Sequence, residues 1–181
     1  MMKPETYMDL KARVIDAGYA KEVDWSDSIM PCTSASKFLD EYVWVVLNAG
    51  MKEQVARKIF ERIQNAIQAG IPLLEVFGHK GKVAAIERML KCYHEEFKLF
   101  QKAKDKLKRL ESLPWIGKVT KYHLAKNLGI RVMKPDRHLV RIAEQYDTTC
   151  TELCLSLAAA TGDKLVTVDT VIWRAANLGF I

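Results

Sequence analysis

Strand signals are nearly absent from this chain. Strict apolar–polar alternation, the mark of a half-buried strand, is not sustained anywhere, which excludes a β-rich fold. No apolar run approaches the roughly 18 residues that a membrane span needs, so no membrane partner is expected. The opening stretch MMKPETYMDLKARVIDAG is mixed and charged, unlike a secretory signal. Cysteine is scarce: Cys32, Cys92, Cys150 and Cys154 are the full set. In a cytosolic chain these are expected as reduced, largely buried thiols. Cys150 and Cys154 stand one helical turn apart, but no third and fourth ligand accompanies them and no metal is expected. His94-Glu95-Glu96 lacks a second histidine four residues on, so it is no zinc motif. Low-complexity tracts and repeats of solenoid period are missing as well.

What is present is helical periodicity. Half of the 181 residues are hydrophobic, enough for one compact domain or two small lobes. Residues 3 to 18 read as a helix closed by Gly18, with Tyr7, Leu10, Val14 and Ile15 near helical spacing. Glu22 to Ser36 reads as a loop, in which Trp25 and Met30 pack into core or line a pocket. Ser34 or Ser36 caps a helix whose apolar face holds Phe38, Leu39, Tyr42, Val43, Val46 and Leu47. It breaks at Asn48-Ala49-Gly50. After Met51, Glu53 begins a helix with Val55, Ile59, Ile63 and Ile67 four residues apart. Gly70-Ile71-Pro72 stops it, and Leu73 to Phe77 is a short helical turn. A long amphipathic helix runs from Val83 to about Phe100, and Lys102 to Glu111 continues it as a basic helix. After residue 136 three helices follow, the last capped by Asp169. The fold class is all-α, with about ten helices joined by short loops.

The net charge of +6 is unevenly distributed. Lys98 to Arg141 carries 13 Lys+Arg against 3 Asp+Glu, while the remainder is acidic on balance. Charge runs are usually solvated helix faces. Here, however, the basic excess surrounds the stretch Leu113 to Arg141, and that coincidence favours a polyanion as partner. Leu113-Pro114-Trp115-Ile116-Gly117 is a tight turn opening a helix over Val119 to Leu128, with Val119, Leu124 and Leu128 on one side. Gly129 ends that helix. A helix N-terminus offers unpaired N–H groups and the positive end of a dipole, so a phosphate suits it. Gly117 permits close backbone approach, and Lys118 and Lys121 add positive charge. A plain helix–helix connection is the other reading of the same turn. Asp136 lies in a basic run that it would make less attractive to phosphate. It is either an ordinary helix cap or a catalytic carboxylate beside a DNA strand.

The two motifs together resemble the helix-hairpin-helix DNA glycosylases of the endonuclease III type. Leu113, Pro114, Ile116, Gly117, Thr120, Asp136, His138 and Arg141 fall on matching positions. The resemblance implies a two-lobed fold: a central lobe over residues 37–133 carrying the hairpin, a second lobe from residues 1–36 and 134–181, and a cleft with Asp136 between them. It implies excision of a damaged or mismatched base from double-stranded DNA by an enzyme acting as a monomer; with no span or secretory signal read in the sequence, a cytoplasmic protein is expected, nucleoid-associated if prokaryotic. It assigns Asp136 to catalysis, and Trp115, Ile116, Gly117, Lys118, Thr120 and Lys121 to the DNA grip. Met51, in a loop that in the family enters the gap left by an everted nucleotide, is either a wedge or a core plug. Trp25, Trp44 and Trp173 are candidates for the base pocket, with ordinary core packing as the alternative. Two departures bear on activity. Trp115 replaces the first hairpin glycine, which makes the turn less open to phosphate. Val119 stands where bifunctional members carry a Schiff-base lysine, which implies a monofunctional hydrolase; whether Lys118 or Lys121 supports lyase chemistry stays open. The four-cysteine set of the family's iron–sulfur cluster is missing, so no cluster is expected, and the resemblance leaves room for a monovalent cation at the hairpin carbonyls. A non-catalytic DNA-binding module and a helical protein-interaction domain are the rival readings.

Overall fold

The computed structural model describes residues 1–181 and is all-α, with eleven α-helices and no strand. No helix is long and apolar enough to cross a membrane. The residues divide into two compact units: Met1–Pro31 with Gly129–Ile181, and Cys32–Leu128.

The first unit contains α1 (Pro4–Val14), α2 (Ala20–Ser28), α9 (Arg137–Gln145), α10 (Cys150–Thr161) and α11 (Leu165–Asn177). Gly18, at φ +93°, breaks the helical run between α1 and α2 in a wide turn over Ile15–Tyr19. Tyr7, Leu10 and Val14 of α1 bury against Leu139, Ile142, Leu153, Leu157, Val171 and Ile172. The Tyr7 hydroxyl donates to Asp163 at 2.6 Å, and Lys11 donates to the same carboxylate at 2.7 Å. Arg174 of α11 is buried, pairs with Glu22 of α2 at 2.7 Å, and lies over the Tyr19 ring at 4.1 Å.

Two expectations are corrected in this unit. Glu22 to Ser36 is not all loop, because α2 runs through Ser28. Its sequence shows little periodicity since only Val23 and Ser26 are buried, and packing against α11, not an apolar stripe, makes it a helix. Trp25 lies on the opposite side of α2 from Val23, and both Trp25 and Met30 are exposed, so neither is core. Asp169 is not a cap. The final helix begins at Leu165, Lys164 is its cap residue, and Asp169 lies buried within it. The apolar run Leu165–Val168 forms the first turn of that helix.

The second unit contains α3 (Ala35–Asn48), α4 (Glu53–Ala69), α5 (Leu73–Val76), α6 (Lys80–Lys102), α7 (Lys106–Glu111) and α8 (Thr120–Asn127). Ser34 caps α3 by accepting the Lys37 N–H at 3.2 Å. The face of α3 packs chiefly on α6 and α4, with Phe38 in ring contact with Phe97 and Phe100 at 5.7 and 5.4 Å. Of the fourfold stripe on α4, Ile59 and Ile63 are buried, whereas Val55 at its start is exposed. The basic segment does not continue α6 unbroken: the chain leaves helix at Ala103 and re-enters at Lys106, capped by Asp105. Asn127, at the end of α8, donates to Glu41 of α3 at 2.9 Å. Burial holds the Glu41 carboxyl above its ordinary range.

Candidate functional site

The hairpin between α7 and α8 is built by a single turn. The Ile116 N–H donates to the Leu113 carbonyl at 3.1 Å, with Pro114 second and Trp115 third at φ +64°. Proline second and a left-handed third residue is the type II pattern, whose third position favours glycine. Trp115 therefore adopts the backbone that glycine would, at a cost of roughly 1–2 kcal/mol for an L-residue. Leu113 and Ile116 anchor the turn from within, each buried, so Ile116 holds the hairpin and does not present its side chain outward. The Tyr42 hydroxyl of α3 donates to the Pro114 carbonyl at 2.7 Å. Burial raises the Tyr42 hydroxyl well above the usual range, which keeps it protonated as a donor.

Past the turn the chain enters α8. The Thr120 hydroxyl accepts the Gly117 N–H at 2.7 Å. No acceptor within the chain takes the N–H groups of Lys118 or Val119, the ordinary condition of a helix start. A Cβ on Gly117 would meet nothing nearer than the Thr120 hydroxyl at 4.0 Å. The fold itself thus has no packing need for glycine here. Lys118 is exposed. Val119 is 45% exposed and does not share the buried side of α8 with Leu124 and Leu128, because it precedes the helix as its cap residue. Lys121 is not a mobile charge: it pairs with Glu111 at 2.6 Å, and this bond raises its ammonium above the ordinary lysine range. Trp115 remains 44% exposed.

Met51 lies in the loop between α3 and α4, half-buried. Gly50 turns this loop at φ +70°, and the Met51 N–H donates to the Asn48 carbonyl at 3.1 Å. Two residues that periodicity did not single out support both loops. Lys82 of α6 is 3% exposed, and its ammonium donates to the carbonyls of Leu47 and Ala49 at 2.8 and 2.7 Å. Burial lowers its affinity for the proton. Gly81, one residue earlier, lies under the Trp115 ring. The available signal was a lysine four residues before Ile86, on the apolar face of α6. Trp44 of α3 lies edge-on to Phe60 at 5.8 Å with Arg57 over its ring at 4.8 Å.

In the other unit, Asp136 is the cap of α9. Its Oδ1 accepts the N–H groups of His138 and Leu139 at 2.9 and 3.1 Å, while Oδ2 lies 3.9 Å from the Lys134 ammonium. The side chain is 13% exposed. The cap fixes the carboxylate's orientation and occupies one oxygen. Cys150 is near enough that the Asp136 carboxylate adds to burial, the larger cause, in raising its thiol above the ordinary range. Trp173 is half-buried with Arg174 over its ring at 4.6 Å. No group of three or more His, Cys, Asp or Glu side chains gathers as a metal ion would require.

Comparison with known proteins finds no matching family model, curated protein or solved structure.

Proposed function

We propose that this protein is a two-lobed helix-hairpin-helix DNA glycosylase that everts a damaged or mismatched base and hydrolyses its N-glycosidic bond. The observation that carries the reading is the conjunction of a type II turn opening α8 and a capping carboxylate, Asp136, nineteen residues beyond Gly117. The unpaired amides of Lys118 and Val119, with the Lys118 ammonium, suit a backbone phosphate. A base stacked in a duplex is out of reach, so the nucleotide rotates out. As the base leaves, C1′ gains oxocarbenium character. A carboxylate beside it stabilises that charge and orients or deprotonates the attacking water. The products are free base and an abasic site. Val119 in place of a lysine makes the reaction hydrolytic.

The cap bonds to Asp136 favour a second reading, DNA binding without excision, since one oxygen already serves the helix. Duplexes carrying alkylated, oxidised or deaminated bases, assayed with and without hot alkali, separate the two. The glycosylase gives strand breaks only after alkali. A binding module gives salt-sensitive retention and no breaks.

A further inference from the structure

The first turn of α6 touches the hairpin that the proposed function assigns to the DNA backbone and the Met51 loop that the family resemblance offers as a wedge, and the inference rests on that reading of both. On one side it meets the hairpin. A Cβ on Gly81 would lie 2.6 Å from Cζ3 and 3.0 Å from Cη2 of Trp115, so glycine is what lets the end of the indole settle there. His79 caps this turn by accepting the Lys82 N–H at 3.3 Å, and its ring meets Trp115 edge-on with centroids 5.2 Å apart. On the other side, the Lys82 ammonium holds the carbonyls of Leu47 and Ala49. These lie at the end of α3, where helix carbonyls lack N–H partners and the dipole is negative. Ala49 is two residues before Met51. A buried ammonium is costly unless it is fully hydrogen-bonded, so Lys82 ties the end of α3 closely to α6.

We propose that His79, Gly81 and Lys82 form one brace that fixes the Trp115 hairpin and the Gly50–Met51 loop relative to each other, so that gripping the backbone and filling the gap left by an everted nucleotide act as one event. None of the three touches DNA in this scheme; they are positioning residues. One helical turn carries all three. A displacement of the indole is therefore felt at the Met51 loop through two neighbouring residues of rigid helix.

Gly81→Ala tests the hairpin arm. The obstructed atoms are the far end of a side chain, so the ring yields and the fold persists, and alanine suits a helix better than glycine. The expected result is an unchanged or raised melting temperature with affinity for both an intact duplex and an abasic-analogue duplex reduced about tenfold. In a Trp115→Ala background, Gly81→Ala is expected to add nothing, because its effect passes through the ring. Lys82→Met tests the other arm. Intact-duplex affinity is retained, while preference for the abasic-analogue duplex shrinks about tenfold and 2-aminopurine fluorescence beside the lesion falls. Wild-type binding by folded Gly81→Ala, or its full effect persisting without Trp115, overturns the brace. So does a Lys82→Met protein with unchanged abasic preference. Should Lys82→Met not fold, the Gly81→Ala cycle decides the matter. Wild-type protein that binds no duplex overturns the DNA reading itself, and this inference with it.

Discussion

The hydroxyl of Tyr42 donates to the carbonyl of Pro114 at 2.7 Å, from a ring with no exposure to solvent. A buried residue of α3 thereby sets the height of the hairpin turn. Tyr42→Phe removes the donor and leaves that carbonyl without it, at a cost of about 1–3 kcal/mol. Urea unfolding is expected to show a lower midpoint with an unchanged slope, the sign of lost stability without altered compactness.

Trp115 makes a different trade. Its left-handed backbone costs roughly 1–2 kcal/mol, and its edge contact with His79 returns about 0.5–1.5 kcal/mol. Trp115→Gly relieves the first and forfeits the second, so the melting temperature is expected to stay within a few degrees of wild type. Duplex affinity, measured by titration, is expected to fall because the exposed indole is gone.

Gly129 cannot be replaced. It sits at φ +77°, and a Cβ there would come within 2.4 Å of the Met30 carbonyl oxygen and 2.7 Å of the Pro31 Cα. Backbone has no rotamer to escape into. Gly129→Ala is expected to cost on the order of 2–5 kcal/mol, combining the left-handed penalty with overpacking, and to show as a large drop in melting temperature.

Glu152 gives the chain an acid-sensitive contact. Its carboxylate accepts the Thr149 N–H at 3.2 Å and the Thr149 hydroxyl at 2.9 Å, closing a capping box at the start of α10. These bonds, the N–H first, then the hydroxyls of Thr149 and Thr148, hold its pKa below the ordinary glutamate value. The folded state therefore binds this proton less tightly than the unfolded chain. Its contribution is complete above the unfolded value of 4.5 and is lost as pH falls through the lower folded value. Glu152→Gln is expected to remove that part of the acid slope of stability, measured by melting at a series of pH values.

Much of the helical architecture is legible in the sequence because long stripes are self-evident: Ile59 and Ile63 on α4, and Ile86 with Phe97 and Phe100 on α6, point inward as their spacing implies. The misses have local causes. Segment α2 has too few buried residues to show a period. Asp169 carries the chemistry of a cap but lies inside α11, where tertiary burial overrides the local signal. At the hairpin, proline second in the turn is readable, whereas the left-handed backbone of a tryptophan is not, since sequence preference reserves that position for glycine. The neutralisation of Lys121 by Glu111, ten residues earlier, depends on how α7 and α8 pack and leaves no local trace.

The most direct measurement is base release by wild type and Asp136→Asn from one panel of lesion duplexes. Asparagine caps a helix about as well as aspartate, so α9 persists and the comparison isolates the charge. Wild type is expected to release free base and leave alkali-labile abasic sites, and Asp136→Asn to bind the same duplexes while releasing base at least about a hundredfold more slowly, the scale of losing one aligned charge at a transition state. Full base release by Asp136→Asn, or none by the wild type on any lesion, would contradict the account.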